Sequence, residues 1–220
     1  MNETRPPALI FDCDGVLVDS EMLSSKVEAG IARDLGLTLT AEEAHNLFLG
    51  KTVEGVVEKF SELAGRRLPA GFIYNWAFAT AHAFVKELLP IAGIREALAG
   101  FGRIGHRMAV ASQSPLARVK LSLEVAGLAT PFGEHVYVTS MVARPKPAPD
   151  IYLFAAERLG CVPADCIVIE DSPAGAAAAL AAGFQAIGYA PAETFDAMSA
   201  SGASVIHSMS ELHEAIRART

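Results

Sequence analysis

The hydrophobic and polar positions of this chain form two kinds of pattern. Short apolar runs, bounded by glycine, proline or polar residues, are typical of buried strands. Other segments place an apolar residue at every third or fourth position, which is typical of amphipathic helices. Runs of the first kind predict strands at 8–11, 108–111, 136–139, 167–169, 186–189 and 204–206.

Residues 19–89 carry only the helical pattern. Apolar residues recur every four positions between residues 23 and 35, which predicts a first helix. Thr40 followed by Glu43 has the sequence of a capping box, so a second helix is expected to begin there. Two more helices are predicted over 53–63 and 72–89.

After residue 90 the predicted strands alternate with predicted helices, which cover 115–125, 149–159 and 173–182. Such alternation of apolar strands and helices predicts a mainly parallel sheet with helices on both faces. We therefore predict the α/β class. A Rossmann-like parallel sheet core is expected from residues 1–18 and 90–220, with a helical domain, residues 19–89, inserted after the first strand.

Composition and charge narrow the classes of function. Hydrophobic residues make up 51% of the 220 residues, so the chain can bury a large core, and a formal net charge of −7 argues against a general nucleic-acid binder. Three cysteines, an odd and low number, fit a reducing compartment. Neither a secretory signal nor a membrane-spanning apolar run is found. We expect a cytoplasmic monomer with no nucleic-acid or membrane partner.

Polar side chains follow the ends of the predicted strands. Asp12 and Asp14 lie one residue apart where the first strand ends, and strand geometry continued to Asp14 would point both carboxylates to the same place. Like charges that close repel unless a cation lies between them. Ligands bind at the carboxyl ends of parallel strands, so the residues after the other strands are expected beside this pair: Ser112, Gln113, Lys146, Glu170 and Asp171. Four carboxylates with one lysine predict a hard divalent cation such as Mg²⁺.

These residues also resemble the motif set of a known superfamily, the haloacid dehalogenase-like hydrolases. The resemblance covers nearly the whole chain, and the helical insertion resembles the cap domain of the β-phosphoglucomutase-like and phosphatase subgroup. It implies a phosphoric monoester hydrolase that acts on a small phosphorylated metabolite with Mg²⁺ as its cofactor. The matching positions, in order, are Asp12-x-Asp14-Gly15, Ser112, Lys146 and Glu170-Asp171.

The resemblance further implies a role for each matching residue. Asp12 would be the nucleophile that forms an aspartyl-phosphate, and Asp14 would be the acid that protonates the leaving oxygen and then the base that activates water. Phosphate would be bound by Ser112, Gln113 and Lys146. Mg²⁺ would be held by Asp12, the backbone carbonyl of Asp14, Asp171 and, largely through water, Glu170.

A loop inside the helical insertion is the candidate for substrate recognition. Related caps carry a loop of this kind, and here it contains Gly50, Lys51 and Thr52. The alternative is that Thr52 only caps the next helix while Lys51 is solvated, and the sequence leaves both open. Trp76 and Phe78 are assigned to the core of the cap.

Three further polar residues near the motifs are assigned structural roles. Ser114 and Ser172 each precede a proline, so both are predicted to be helix N-caps. Asp150 is predicted to lie in the first turn of a helix, where a negative charge is favourable.

The leading hypothesis is a Mg²⁺-dependent phosphatase that hydrolyses a sugar phosphate through an aspartyl-phosphate intermediate. The alternative is a phosphosugar mutase of the β-phosphoglucomutase type. These mutases typically have a histidine where Ser24 aligns and an arginine soon after the glycine of the cap loop, and this chain departs from both features.

Other classes of protein fit the residues less well. A haloacid dehalogenase is disfavoured because those enzymes lack an acid at the position of Asp14. A phosphate-accepting receiver module is disfavoured because no aspartate follows the third strand. A metabolite-binding protein without turnover is disfavoured because Asp12, Asp14 and Lys146 are all present.

Overall fold

The computed structural model describes residues 5–190 and 194–219. Contacts between Cα atoms divide the chain into two compact units, one formed by residues 1–18 and 90–220 and the other by residues 19–89. The helices of the described residues are α1 (Glu21–Asp34), α2 (Ala41–Phe48), α3 (Val53–Ala64), α4 (Phe72–Glu87), α5 (Ile94–Ile104), α6 (Leu116–Val125), α7 (Asp150–Arg158), α8 (Pro173–Ala181), α9 (Phe195–Ala200) and α10 (Leu212–Arg217).

The first unit is built on one sheet in which every described pairing is parallel. Its strands are β1 (Ala8–Phe11), β2 (Met108–Ser112), β3 (Val136–Val138), β4 (Cys166–Glu170), β5 (Gln185–Tyr189) and β6 (Ser204–Ile206). Their order across the sheet is β3-β2-β1-β4-β5-β6. This is the doubly wound order, in which ligands bind where the order reverses, here beside the carboxyl ends of β1 and β4. The predicted α/β class with a Rossmann-like core is confirmed.

Both faces of β1 are covered, which explains why its four residues are all apolar and fully buried. Ile10 joins a core cluster that includes Tyr152 of α7 and Val168 of β4. Phe11 points the other way, and its ring lies 6.4 Å from that of Phe101 in α5 and 5.9 Å from that of Phe132. The central strand is therefore fixed from both sides, and so is the position of the residue that follows it.

The second unit contains helices α1–α4 around a small aromatic core. The rings of Phe48 and Phe60 stack at 4.5 Å, and Trp76 is buried with them as predicted. Phe78 is 75% exposed, so its assignment to this core is wrong. It lies two positions from Trp76, which on a helix turns it to a different face.

The capping box predicted at the start of α2 is present. The Thr40 side chain accepts a hydrogen bond from the backbone N–H of Glu43 at 3.1 Å, and the Glu43 side chain accepts one from the backbone N–H of Thr40 at 2.7 Å. These two bonds satisfy donors at the helix start that have no partner within the helix.

The chain leaves the first unit after residue 18 and returns to it at residue 90, and backbone contacts join these two stretches. Within the first unit, Val18 forms an antiparallel bridge with Pro90. Within the second, the N–H of Asp19 donates to the carbonyl of Leu89 at 2.9 Å. The helical insertion is therefore closed at its base by backbone contacts.

Three helices of the first unit were not predicted: α5, α9 and α10. Gly100 and Gly102 lower the helix propensity of α5, although its buried apolar residues recur at helical spacing, and α9 and α10 have only six residues each. Such short helices offer fewer than two turns of periodicity. No helix of the described residues has the length and apolar character needed to cross a membrane.

Candidate active site

Asp12 follows β1 directly and lies at the position where the strand order reverses. Its N–H donates to the carbonyl of Ile169 in β4 at 2.9 Å, which continues the β1–β4 pairing by one residue. Asp12 is 8% exposed. A carboxylate is thus held almost out of solvent at the carboxyl ends of the two central strands.

Lys146 joins two buried carboxylates. Its Nζ donates to Asp12 Oδ1 and to Glu170 Oε1, each at 2.5 Å, and to the carbonyl of Ala111 at 3.1 Å. The side chain is 6% exposed, and Nζ lies 5.0 Å from the centre of the Tyr152 ring. Burial alone would lower the pKa of Lys146, but the Asp12 and Glu170 carboxylates hold this pKa well above its ordinary value. The ammonium therefore stays charged, and all three of its N–H groups are engaged by protein oxygens.

The carboxyl group of Asp12 ionises less readily than an ordinary aspartate. Burial raises the pKa of Asp12 to about 7, against the opposing effect of Lys146, and Glu170 adds to the rise. Close approach of a further cation would favour the ionised form that a nucleophile requires.

Glu170 makes hydrogen bonds through both of its oxygens. Oε1 accepts from the Tyr152 hydroxyl at 2.6 Å as well as from Lys146. Oε2 accepts from the Ser172 hydroxyl at 2.7 Å and from the Ser172 N–H at 3.1 Å. Burial acts to raise the pKa of Glu170, but Lys146 and these hydrogen bonds hold it below its ordinary value. Glu170 thus positions Lys146, and its predicted role toward a metal stays a prediction.

Asp14 lies at the turn that follows β1, and donors on Ser114 and Arg118 contact its carboxylate. Ser114 Oγ donates to Oδ2 at 2.6 Å, and Arg118 Nη2 donates to Oδ1 at 3.2 Å. Neither contact was predicted. Ser114 was assigned as an N-cap, and that assignment is wrong: α6 begins at Leu116, and no side chain caps it.

Asp171 lies against the backbone of the same turn. Gly15 has φ +77°, and a Cβ built there would overlap the Asp171 carboxylate. Only glycine permits this approach. Asp171 is therefore held close to the peptide unit that carries the Asp14 carbonyl, the oxygen predicted to face a metal.

The oxygen donors near Asp12 fit Mg²⁺ by their chemistry. Mg²⁺ prefers hard oxygen ligands, uses one or two carboxylates and keeps several waters or phosphate oxygens. The carboxylates of Asp12 and Asp171 and the carbonyl of Asp14 supply such donors. Among the residues that the structure describes, no three side chains of histidine, cysteine, aspartate or glutamate form a metal-binding cluster. A cation here would therefore need the backbone oxygen and ligands from outside the protein.

The predicted phosphate-binding residues lie at the end of β2. Ser112 is 1% exposed, and its Oγ accepts a hydrogen bond from the Ser114 N–H at 3.1 Å. The Gln113 carbonyl accepts a hydrogen bond from the Thr139 hydroxyl at 3.4 Å. These contacts fix the backbone after β2, and the binding of phosphate by Ser112 and Gln113 stays a prediction.

Two of the assigned structural roles are confirmed. Ser172 caps α8 by accepting from the Gly175 N–H at 3.1 Å. Asp150 begins α7 and pairs with Arg144, with a distance of 2.9 Å between Nη2 and Oδ2.

The candidate recognition loop lies in the second unit. Thr52 caps α3 by accepting from the Gly55 N–H at 3.2 Å, so its structural role is confirmed. Lys51 is exposed, and Gly50 has φ +71°. Recognition of a substrate by Gly50, Lys51 and Thr52 stays a prediction.

Sequence reasoning missed three residues that contact the site: Ser114, Arg118 and Tyr152. Each touches a carboxylate that was predicted, namely Asp14 or Glu170. Arg118 also changes the charge balance, because it adds a second cation to the four carboxylates and Lys146.

The protein has a parallel α/β core with a buried aspartate–lysine pair where the strand order reverses, an arrangement that defines a class of hydrolases. Residues 6–183 match the model of the haloacid dehalogenase-like hydrolase family. The chain belongs to this family. The predicted family and hydrolase class are confirmed.

Individual relatives support the assignment. Hexitol phosphatase A of Escherichia coli strain K12 is 32% identical over 195 residues, which cover 86% of this chain and 86% of the relative. The 6-phosphogluconate phosphatase of the same strain is 29% identical over 185 residues, 83% of this chain and 81% of the relative. The chain matches only 17% of a longer relative, the Arabidopsis thaliana chloroplastic protein SUPPRESSOR OF QUENCHING 1, with 29% identity.

A solved structure has the same fold. A family hydrolase from Deinococcus radiodurans R1, crystallised with bound phosphate and sodium, is 35% identical to this chain with a TM-score of 0.79. The match covers 99% of this chain and 97% of that one.

Proposed function

We propose that this protein is a Mg²⁺-dependent phosphatase that hydrolyses a small phosphorylated metabolite, a sugar phosphate, through an aspartyl-phosphate on Asp12. The observation that carries the proposal is the 2.5 Å contact between Lys146 Nζ and Asp12 Oδ1 in a buried position. Two relatives, hexitol phosphatase A and 6-phosphogluconate phosphatase, support the substrate class by their names. The phosphate bound to the Deinococcus relative supports the chemistry.

In the first half of the reaction, a carboxylate oxygen of Asp12 attacks phosphorus. The bond between phosphorus and the leaving oxygen breaks, and Asp14 gives its proton to that oxygen, so that the sugar departs as an alcohol. Lys146 and the Ser112 hydroxyl neutralise and bind the phosphoryl oxygens, which is the main contribution a protein makes to phosphoryl transfer.

In the second half, water attacks the phosphorus of the aspartyl-phosphate. Asp14, now a carboxylate, takes the proton from this water, and the bond between phosphorus and Asp12 breaks. Inorganic phosphate leaves, Asp12 returns as a carboxylate and Asp14 returns as an acid. The cycle consumes one water and restores every protein group.

The metal would be held by the Asp12 and Asp171 carboxylates and the Asp14 carbonyl, with Glu170 acting at longer range. When bound, it neutralises charge on the phosphoryl group and on Asp12. Lys146 supplies part of the same neutralisation from the protein itself.

Release of inorganic phosphate from p-nitrophenyl phosphate and from a panel of sugar phosphates tests the proposal. We expect release that requires Mg²⁺, stops with a chelator and resumes when Mg²⁺ is restored. Asp12→Asn should abolish it, whereas Asp165→Asn, an exposed aspartate of the same unit, should leave it unchanged. Normal turnover by Asp12→Asn would refute the nucleophile. Isomerised sugar phosphate formed in place of inorganic phosphate would instead favour the mutase alternative.

The covalent intermediate has its own test. With p-nitrophenyl phosphate, whose leaving group needs no proton, Asp14→Asn can still form the aspartyl-phosphate but cannot take the proton from water, so breakdown should be slowed more than formation. Rapid-quench mass spectrometry should then detect one added phosphoryl group on the peptide that contains Asp12. The same group on another peptide would contradict the proposal.

A further inference from the structure

One segment of the chain contributes two side-chain donors to the Asp14 carboxylate. Ser114 Oγ binds Oδ2 at 2.6 Å, and Arg118 Nη2 binds Oδ1 at 3.2 Å. This segment leaves β2 and opens α6. The side chains of Asp14 and Arg118 are each 23% exposed, so solvent screens their attraction only in part.

The same segment is held by hydrogen bonds of its own. The Ser114 N–H donates to Ser112 Oγ at 3.1 Å, and the Arg118 N–H donates to the Pro115 carbonyl at 2.9 Å in the first helical turn. The Thr139 hydroxyl binds the Gln113 carbonyl at 3.4 Å. Both donors to Asp14 therefore start from a fixed backbone, and this limits the positions open to the carboxylate.

We propose that Ser114 and Arg118 are positioning residues for the proton transfer by Asp14. They hold its carboxyl group toward the leaving oxygen and stabilise the negative charge that it gains there. The inference rests on the proposed function, in which the P–O bond of the substrate breaks, the bond to Asp12 forms and the Asp14 proton passes to the leaving oxygen. The carboxylate left behind is the group that Arg118 and Ser114 contact.

The physical reason is charge stabilisation at the point where charge develops. Hydrogen bonds from charged donors to a carboxylate are roughly twice as strong as neutral ones. A fixed donor stabilises the developing charge without reorganising during the reaction. Arg118 contributes a positive charge, and Ser114 contributes a short hydrogen bond from an uncharged donor to the other oxygen.

This role predicts a dependence on the leaving group. A nitrophenolate departs as an anion and needs no proton, phenolate is more basic, and a benzyl alkoxide must be protonated. p-Nitrophenyl phosphate, phenyl phosphate and benzyl phosphate resemble one another in shape and differ chiefly in this respect. Loss of Ser114 or Arg118 should therefore slow hydrolysis least for p-nitrophenyl phosphate, more for phenyl phosphate and most for benzyl phosphate.

The experiment measures kcat/KM of Arg118→Met and Ser114→Ala with these three probes and saturating Mg²⁺. We expect a loss on the order of ten-fold or more for benzyl phosphate and of less than about three-fold for p-nitrophenyl phosphate, since general acid catalysis contributes roughly 10²–10⁴-fold in full. The ratio between two substrates does not depend on how much of a variant is correctly folded. Arg118→Lys and Ser114→Thr, which keep the charge and the hydroxyl, should restore part of the ratio.

A control and a reference variant separate the possible outcomes. Lys120→Met, an exposed lysine on the same helix, should change none of the ratios. Equal losses on all three substrates, or no losses, would overturn the positioning role. If Asp14→Asn is selective for the basic leaving groups while Arg118→Met is not, only this inference fails. If Asp14→Asn is not selective either, the acid role in the proposed function fails with it.

Discussion

Lys146 donates to Glu170 Oε1 across 2.5 Å at a place where the two side chains are only 6% and 1% exposed. The same ammonium also binds Asp12, so one cation separates two carboxylates that would otherwise repel each other. Because all three charges lie inside the protein, their balance affects folding as well as chemistry.

Replacing Lys146 should therefore reduce both the stability and the activity of the protein. Lys146→Met keeps the length of the side chain but leaves Asp12 and Glu170 without their shared cation. Removing one partner of a buried ion pair typically costs about 3–5 kcal/mol. We expect the free energy of unfolding in urea at pH 8 to fall by about this amount and phosphatase activity to be lost. Lys120→Met is the matched control, and a loss of stability no larger than in that control would contradict the prediction.

The hydroxyl of Tyr152 offers a finer test of the same network. Tyr152→Phe removes only the 2.6 Å hydrogen bond to Glu170, in a residue that is fully buried. A buried acceptor that loses a donor costs about 1–3 kcal/mol. Chemical denaturation should show this loss, together with reduced turnover because Lys146 is less well held. Tyr74→Phe makes the same change at a position that is 82% exposed, and it should alter neither quantity.

Two glycines in helices should respond to alanine in opposite ways. A Cβ at Gly175 would overlap the Glu170 carboxylate, whereas a Cβ at Gly102 would meet no atom within 4 Å. Gly175→Ala should therefore displace Glu170 and reduce both stability and activity. Gly102→Ala should raise the unfolding free energy by up to about 1 kcal/mol, because alanine favours a helix over glycine. Two variants that behave alike in thermal melts and assays would show that the close approach at Gly175 has no importance.

The raised pKa of Asp12 predicts a pH dependence of stability. The folded protein binds the Asp12 proton more tightly than the unfolded chain, with a pKa of about 7 against an ordinary value of 3.8. The stabilising contribution is complete below the unfolded pKa and disappears as the pH rises from about 4 to about 7. Wild type should therefore lose stability relative to Asp12→Asn over this range, by at most about 1.4 kcal/mol per pKa unit.

Urea unfolding of both proteins between pH 5 and pH 8 in the presence of a chelator measures this difference. A stability difference that stays constant over the range, or that moves in favour of wild type as the pH rises, would contradict the prediction.

The strand ends could be predicted because short apolar strands mark their own limits. Asp12, Ser112 and Glu170 each follow or close a run that is buried on both faces, so the change from apolar to polar identifies the edge of the sheet. The order of the strands then brings together residues that are far apart in the sequence. For these positions the local sequence pattern is sufficient to predict where the strand ends.

Arg118 and Tyr152 lie inside helices, where the sequence shows no such boundary. Which way a helical side chain points depends on how the helix packs on the sheet, and this is settled by contacts distant in sequence. Ser114 illustrates the same limit. Its position before a proline predicts an N-cap, but the nearby carboxylate of Asp14, 100 positions earlier, takes its hydrogen bond instead. Tertiary contact has overridden a local preference.

Two backbone contacts affect how much the sequence between residues 19 and 89 can change. They are the bridge between Val18 and Pro90 and the hydrogen bond between Asp19 and Leu89. For the sheet, the whole helical segment is a loop with its ends tied together. The entropy of closing a loop grows only with the logarithm of its length, by about 0.6 kcal/mol per doubling. These contacts involve backbone atoms, and at position 19 any residue except proline supplies the N–H. Insertions, deletions and wholesale exchange between residues 19 and 89 should thus cost the sheet that carries Asp12 and Lys146 little free energy.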